Sequence, residues 1–451
     1  MLLCAHYILP ITSSPFESGA ILVRDNRICD FGSAEMLKLR YPDEEVLDYG
    51  NAALMPGLID LNANLESAVM RGSVRDVPFV SWSSQMTKNS SKLEAADWND
   101  SALFGGLEAI AAGITCLADI TYAGASWKAL NKLGLRGVVY RRVAAKDKRR
   151  IDYAMRNAEN DIIRWRECAD SDRVTAGIAP APTYICHPLV YARVSELALA
   201  ENLPVAMHLA GSHEEYNFVR YGSDALSLHQ MEDRIGFVEV PPWMPAGCSP
   251  VRYALNWDAF EPSNVMAIHC IHVDEEDIKK LKEYDVSVAV CPRSAAQLGM
   301  GVTPMDELRR AGIRFGFGSA ASTALSSADL IGEVRFATLL QRSINVGDFV
   351  EAEDMLAQAT IGAAQALRMD SIIGSIEVGK RADIIAIDLS GAGQSSNLNP
   401  AQSIVNTCNG SDILMTMVDG KKLYEKNHWE VDVEVARIIA RVIEIRNKLR
   451  M

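Results

Sequence analysis

Short apolar runs bounded by glycine, proline or charged positions alternate along the middle of the chain with longer segments whose apolar residues recur at helical spacing. That alternation predicts parallel βαβ units. Candidate strands fall at 54–60, 114–120, 136–140, 174–180, 204–209, 265–270, 286–291 and 313–318, and eight is the number that closes an α/β barrel. Between them, 102–112 (Leu103, Leu107, Ile110) and 275–283 (Ile278, Leu281) show the 3.6-residue period of outer helices. The ends read differently. Met1–Pro10 is a short apolar strand, and 19–23 and 27–31 flank a polar turn, predicting a hairpin. Segments 376–387 and 415–421 repeat that pattern, so the two ends are expected to share a sheet. Residues 433–449 predict an amphipathic closing helix with Ile438, Ile439, Val442 and Ile445 on one face and Arg437, Arg441, Glu444 and Lys448 around it, its charged face a solvated surface or a dimer seam. Gly391–Pro400 reads as a loop. The expected architecture is α/β: a TIM (β/α)8 barrel over 56–369, a small β-sandwich domain from 1–55 plus 370–430, and a C-terminal helix over 431–451.

Composition narrows the function. Of 451 residues, 49% are hydrophobic and 23% charged, the balance of an ordinary soluble globular protein. The formal charge of −13 argues against a nucleic-acid or anionic-membrane partner and leaves a small-molecule ligand. Met1–Pro10 lacks the basic lead-in of a signal peptide, no apolar run approaches ~20 residues, and the 9 cysteines form no CxxC pair, so a reduced, cytoplasmic protein is expected. Neither a phosphate-cradling glycine loop nor a nucleophile elbow is present.

Catalytic groups of such barrels hang from the C-terminal ends of the strands. Those ends carry Asn62-Ala63-Asn64-Leu65-Glu66, His208-Leu209-Ala210-Gly211, His269-Cys270-Ile271-His272, Cys291-Pro292-Arg293-Ser294 and Gly318-Ser319-Ala320. Together with Arg71-Gly72, Pro78-Phe79-Val80-Ser81-Trp82 and Glu214-Glu215, this set resembles the amidohydrolase superfamily, in its cytosine-deaminase-like branch that includes aminodeoxyfutalosine deaminases. The resemblance spans nearly the whole chain. It implies a metal-dependent barrel flanked by a β domain from both termini, zinc or iron as cofactor, hydrolysis of non-peptide C–N bonds, and a homodimer.

At the catalytic positions the chain departs from that pattern. The family's His-x-His after the first strand falls on Asn62 and Asn64, its metal-binding Asp after the eighth on Ala320, and its proton-shuttling Glu after the fifth on Gly211. A substrate-gripping His falls near Ala181, with Tyr184 close by; His208 and His269 survive. A catalytic zinc site uses three protein ligands and an open position, and neutral carboxamides substitute poorly for imidazole. Zinc or iron is therefore expected not to bind, and water would keep a pKa near ~15.7. A relocated site built from His208, His213, His269, His272, Cys270 and Cys291 is disfavoured, because Cys270 should face away from His269.

His208 and His269 are the candidate catalytic residues; Asn62, Asn64, Glu66, Tyr184 and Arg293 are candidates for ligand binding. Asn62 and Asn64 are expected to share one strand face, free to bond each other, His208 or a ligand. Glu66 has the competing reading of a solvated or salt-bridged carboxylate, and Arg293 that of an ion pair. The expected function is that of a deaminase homologue that has lost metal-dependent hydrolysis. It would act as a pseudoenzyme, binding a purine-nucleoside-like small molecule or accompanying an active paralogue. The alternative is an active hydrolase of altered, metal-free chemistry using His208 or His269 as general base with Glu66 in support.

Overall fold

The computed structural model describes residues 1–168, 172–223, 226, 245–320, 327–344, 349–394 and 399–450. Nine strands come from the ends of the chain: β1 (Leu2–Ile8), β2 (Phe16–Arg24), β3 (Arg27–Ser33), β4 (Val46–Asp48), β5 (Ala52–Pro56), β14 (Ile384–Asp388), β15 (Ile413–Val418), β16 (Lys421–Glu425) and β17 (His428–Trp429). Eight lie between: β6 (Leu58–Asp60), β7 (Ile114–Thr121), β8 (Arg136–Val143), β9 (Val174–Pro180), β10 (Val205–Leu209), β11 (Val265–His269), β12 (Ser287–Val290) and β13 (Phe315–Phe317).

Strands β6 to β13 pair in sequential order, and every ladder is parallel. Strands covered on both faces read as unbroken apolar runs, and β7 is buried throughout. The ring closes where the Leu61 N–H donates to the Phe317 carbonyl (2.8 Å) and the Ala320 N–H to the Asn62 carbonyl (2.8 Å). The expected barrel is present, with one correction at its start. The run 54–60 is two strands: β5 joins the terminal sheet antiparallel to β14, and only β6 enters the barrel. Gly57 makes the break. A Cβ there would lie 2.0 Å from Thr115 Oγ1, so only glycine lets the backbone cross this closely.

The terminal strands form one mixed sheet in the order β17-β16-β15-β14-β5-β1-β2-β3, with β4 beside β1. An antiparallel bridge from Arg27 to Arg381 brings its far edge back toward the segment before β14. The sheet thus folds over a core that includes Leu3, Ile21, Leu54, Ile384 and Met417. Buried Arg136, opening β8, fastens this sheet to the barrel through both oxygens of Asp383 (2.7 and 3.1 Å) and through Asp419 (3.1 Å).

The helix expected at 275–283 is Glu275–Glu283, started by an Asp274/Asp277 capping box. The one expected at 102–112 begins earlier, as Ala95–Ala111, where Glu94 and Asp97 form the capping box. The closing helix is Val435–Arg450, and it buries Ile438, Val442, Ile445 and Leu449. Ile439 does not share that face: it is 49% exposed, because the next residue on a helix is turned by about 100°. On the charged side of this helix Arg441 and Lys448 pair with Asp97, and Arg441 also reaches Asp100, while Arg437 and Glu444 stay exposed to solvent. Of the loop expected at 391–400, residues 395–398 lie outside the described residues. Among the described residues, no helix is long and apolar enough to cross a membrane.

Candidate functional site

The mouth of the barrel is built on irregular backbone. Asn64, Ala210, His269, Cys270 and Ala320 all have positive φ, between 41° and 83°. They stand at or just beyond the ends of β6, β10, β11 and β13. Left-handed backbone costs an ordinary L-residue roughly 1–2 kcal/mol, and such strain collects where a scaffold holds a site. Asn62 and Asn64 consequently do not share a strand face as expected: β6 stops at Asp60, and both asparagines lie past its end.

Both nevertheless line one cavity of about 140 Å³ together with His208, His269, Tyr184 and Ala320. Five positions singled out in the sequence thus converge, and the methyl of Ala320 joins them. The two imidazole rings stand 5.5 Å apart, centre to centre. Asn62, 1% exposed, donates from Nδ2 to Cys291 Sγ (3.5 Å). Its Oδ1 and His269 Nδ1 are buried without a hydrogen-bond partner among the described residues. A polar atom left so costs about 1–3 kcal/mol, which a ligand would recover.

Glu66 and Arg293 lie elsewhere. Glu66 is buried against the loop after β7, where Thr121 Oγ1 and the N–H groups of Tyr122 (2.7 Å), Ala123 (3.1 Å) and Ala125 (2.7 Å) donate to its carboxylate. It anchors the start of the helix Ala125–Leu133, a usual place for an anion. Arg293 donates from Nε to Glu333 (2.6 Å) and from Nη2 to the Asp329 carbonyl (2.7 Å). Burial pushes Glu333 up to about 7 despite that partner.

The rest of the wall comes from residues not among the candidate site residues, although Phe79 and Trp82 belong to a motif that carried the resemblance. Phe79, Trp82, Met86, Leu298 and Met300 make it apolar, and Arg142 carries its one fixed charge among the described residues. The Arg142 guanidinium lies 4.4 Å over the Tyr122 ring. A signal existed. Arg141-Arg142 ends an apolar strand, and side chains alternate there: Arg141 pairs with Asp161 (2.7 Å), while Arg142 turns to the mouth.

Burial, then the charge of neighbouring His269 and Arg142, pulls His208 down to about 3; burial alone takes His269 to about 4. Both imidazoles are neutral at pH 7. Unfolded histidine titrates near ~6.5, so the stability these groups permit is complete above that pH. It is lost as pH falls from there toward their folded values, because the unfolded chain then binds protons that the folded mouth refuses. His208→Asn should therefore gain about 1–2 kcal/mol on the wild type at pH 5 relative to pH 7. Urea midpoints at the two pH values measure this; a difference that does not change with pH contradicts it.

The mouth does not fit a catalytic zinc ion. Such an ion takes three protein ligands. Here two imidazoles stand beside two carboxamides and a methyl, and among the described residues no group of three His, Cys, Asp or Glu is placed to hold a metal. His213 and His272 come close, with ring centres 5.7 Å apart, but His272 Nε2 is engaged by the Met300 carbonyl (2.7 Å). Gly211, where the resemblance places the family's shuttling Glu, has little room for a side chain. A Cβ on Gly211 would lie 3.1 Å from His269 Cδ2 and 3.3 Å from Met300 Cε.

A family model described as the amidohydrolase family matches residues 53–423. A 5-methylthioadenosine/S-adenosylhomocysteine deaminase of Symbiobacterium thermophilum is 27% identical over 453 residues, covering 98% of this chain and 97% of the relative. Its counterpart in Thermoanaerobacter pseudethanolicus is 29% identical over 396 residues, covering 87% and 86%. Among solved structures, a zinc-bound adenosine deaminase from Xanthomonas campestris superposes with a TM-score of 0.85 at 22% identity, covering 100% of this chain and 98% of the other. A zinc-complexed atrazine chlorohydrolase from Arthrobacter aurescens gives 0.83 at 20% identity, with 99% of each chain covered. These two likenesses establish the fold.

Proposed function

The chain belongs to the amidohydrolase family, and from that premise we propose that its barrel mouth binds a purine-nucleoside-like small molecule without metal-dependent hydrolysis. One observation carries the reading: Asn62, Asn64 and Ala320, on which the resemblance places the family's ligand positions, surround the same cavity as His208 and His269. The relatives named as deaminases of adenine nucleosides support the ligand class. So do the unpartnered Asn62 Oδ1 and His269 Nδ1, an acceptor and a group that donates or accepts by tautomer, as the edge of a heterocycle requires. The cavity of about 140 Å³ has room for a small ring system, with Arg142 in its wall to meet a polar part of the ligand.

The test combines elemental analysis of purified protein with ammonia release from adenosine and 5-methylthioadenosine. Expected are zinc well below one per chain, no turnover, and a rise in melting temperature with purine nucleosides. Stoichiometric zinc with deamination overturns the proposal.

A second reading, metal-free turnover with His208 or His269 as general base, draws on the unpartnered His269 Nδ1. Against it, a base is most effective with a pKa near the working pH, and values of about 3 and 4 lie far below. Turnover without metal that falls in His208→Ala or His269→Ala would favour it.

A further inference from the structure

A larger cavity, about 860 Å³, lies at the seam between the barrel's outer helices and the terminal sheet. One side is the helix Ala125–Leu133, another the helix Ile151–Glu167, and the turn into β16 faces them. Five basic side chains line it, Lys128, Lys132, Arg164, Arg173 and Lys421, against Asp161, Asp419 and Asp432. Two of these acids are already engaged: Asp161 by Arg141 and Arg164, Asp419 by Arg136 and Arg381.

Lys128, Lys132 and Lys421 have no ion-pair partner among the described residues, in a chain whose net charge is −13. Lys128 and Lys132 are four apart on one helix, where like charges repel. A third lysine, Lys421, lines the same cavity from another element. Three unpaired cations around one cavity favour an anionic ligand. Compact ammonium groups suit phosphate oxygens as point charges. The cavity is far larger than an inorganic anion needs and falls in the range of sites for organic ligands. Beside Asn131, part of its wall is apolar: Leu133, Val418 and the parallel indoles of Trp127 and Trp165, 5.2 Å apart.

We propose that this seam cavity binds an organic phosphate, its phosphates held by Lys128, Lys132 and Lys421 and its body against the apolar wall. The site is separate from the barrel mouth, so the two proposals fail independently. Titration calorimetry of the full chain at low ionic strength, with uridine diphosphate and with pyrophosphate, tests it. Expected is saturable one-to-one binding of uridine diphosphate, tighter than pyrophosphate. Lys132→Ala/Lys421→Ala should weaken it about tenfold or more, and Lys→Arg at both positions should largely preserve it. Lys88→Ala/Lys279→Ala, two lysines outside the cavity, should leave it unchanged. Three results overturn the proposal: no saturable binding, equal loss in the Lys88/Lys279 variant, or pyrophosphate binding as tightly as the nucleotide.

Discussion

Replacing Asp383 by alanine is expected to destabilise the protein by about 3–5 kcal/mol, because it strands a buried guanidinium. Arg136 is only 3% exposed, and Asp383 supplies both oxygens of its bidentate partner. Burial pushes against the charged form of Arg136, and the Asp383 carboxylate more than restores it, leaving the guanidinium above its ordinary value. Asp419 offers a single contact at 3.1 Å and shares its oxygen with Arg381, so it cannot replace what Asp383 provides. Asp383 also accepts the Asp419 backbone N–H (2.8 Å), so its loss frees the β15–β16 turn as well. Removing both charges is different. Arg136→Met/Asp383→Leu leaves no unpaired ion, and apolar groups of similar volume often match a buried pair. The double variant should therefore recover most of the loss. Urea denaturation of the three variants measures this; a loss below about 1 kcal/mol in Asp383→Ala would show that the seam does not depend on the pair.

The barrel was legible because its strands are covered on both faces, so each prints an apolar run between turn residues. The division of 54–60 was not, since it depends on Thr115 filling the space a side chain at Gly57 would need. The same distinction separates the site residues. His208, His269, Asn62, Asn64 and Tyr184 belong to strand ends or the loops just after them, and the fold alone gathers those ends. Glu66 and Arg293 share that position but meet complementary groups first: backbone N–H groups at a helix start, and Glu333, 40 residues away along the chain. Nothing adjacent in the chain announces either partner. Phe79, Trp82 and Met300 reach the cavity from outside the barrel strands, where no periodicity points to the mouth.

Asn62→His/Asn64→His/Ala320→Asp is expected to take up about one zinc per chain, where the wild type holds far less. The three changes restore the family's ligand types around His208, which its buried setting keeps neutral, the form a metal requires. The backbone is ready for two of them. Asn64 and Ala320 sit at φ of 58° and 41°, a region where Asn, Asp and His are enriched and alanine is strained. The third position is tighter, since Asn62 Cβ lies 2.7 Å from where a Gly318 side chain would begin, so Gly318 must remain glycine. Elemental analysis after exhaustive dialysis reads the outcome. A folded triple variant with no more zinc than the wild type would sink the reading of the mouth as an eroded metal centre. Deamination should not return with the metal, because the resemblance places the family's proton-shuttling carboxylate at Gly211, which has no side chain to do that work. Gly211→Glu meets His269 at 3.1 Å and Met300 at 3.3 Å. Adding it with Met300→Ala, which removes one of those contacts, is the step at which ammonia release from an adenine nucleoside should first be detected. Release from the triple variant alone would instead assign the proton transfer to another group, such as His269 or the Glu215 carboxylate that accepts from the Gly211 N–H (2.8 Å).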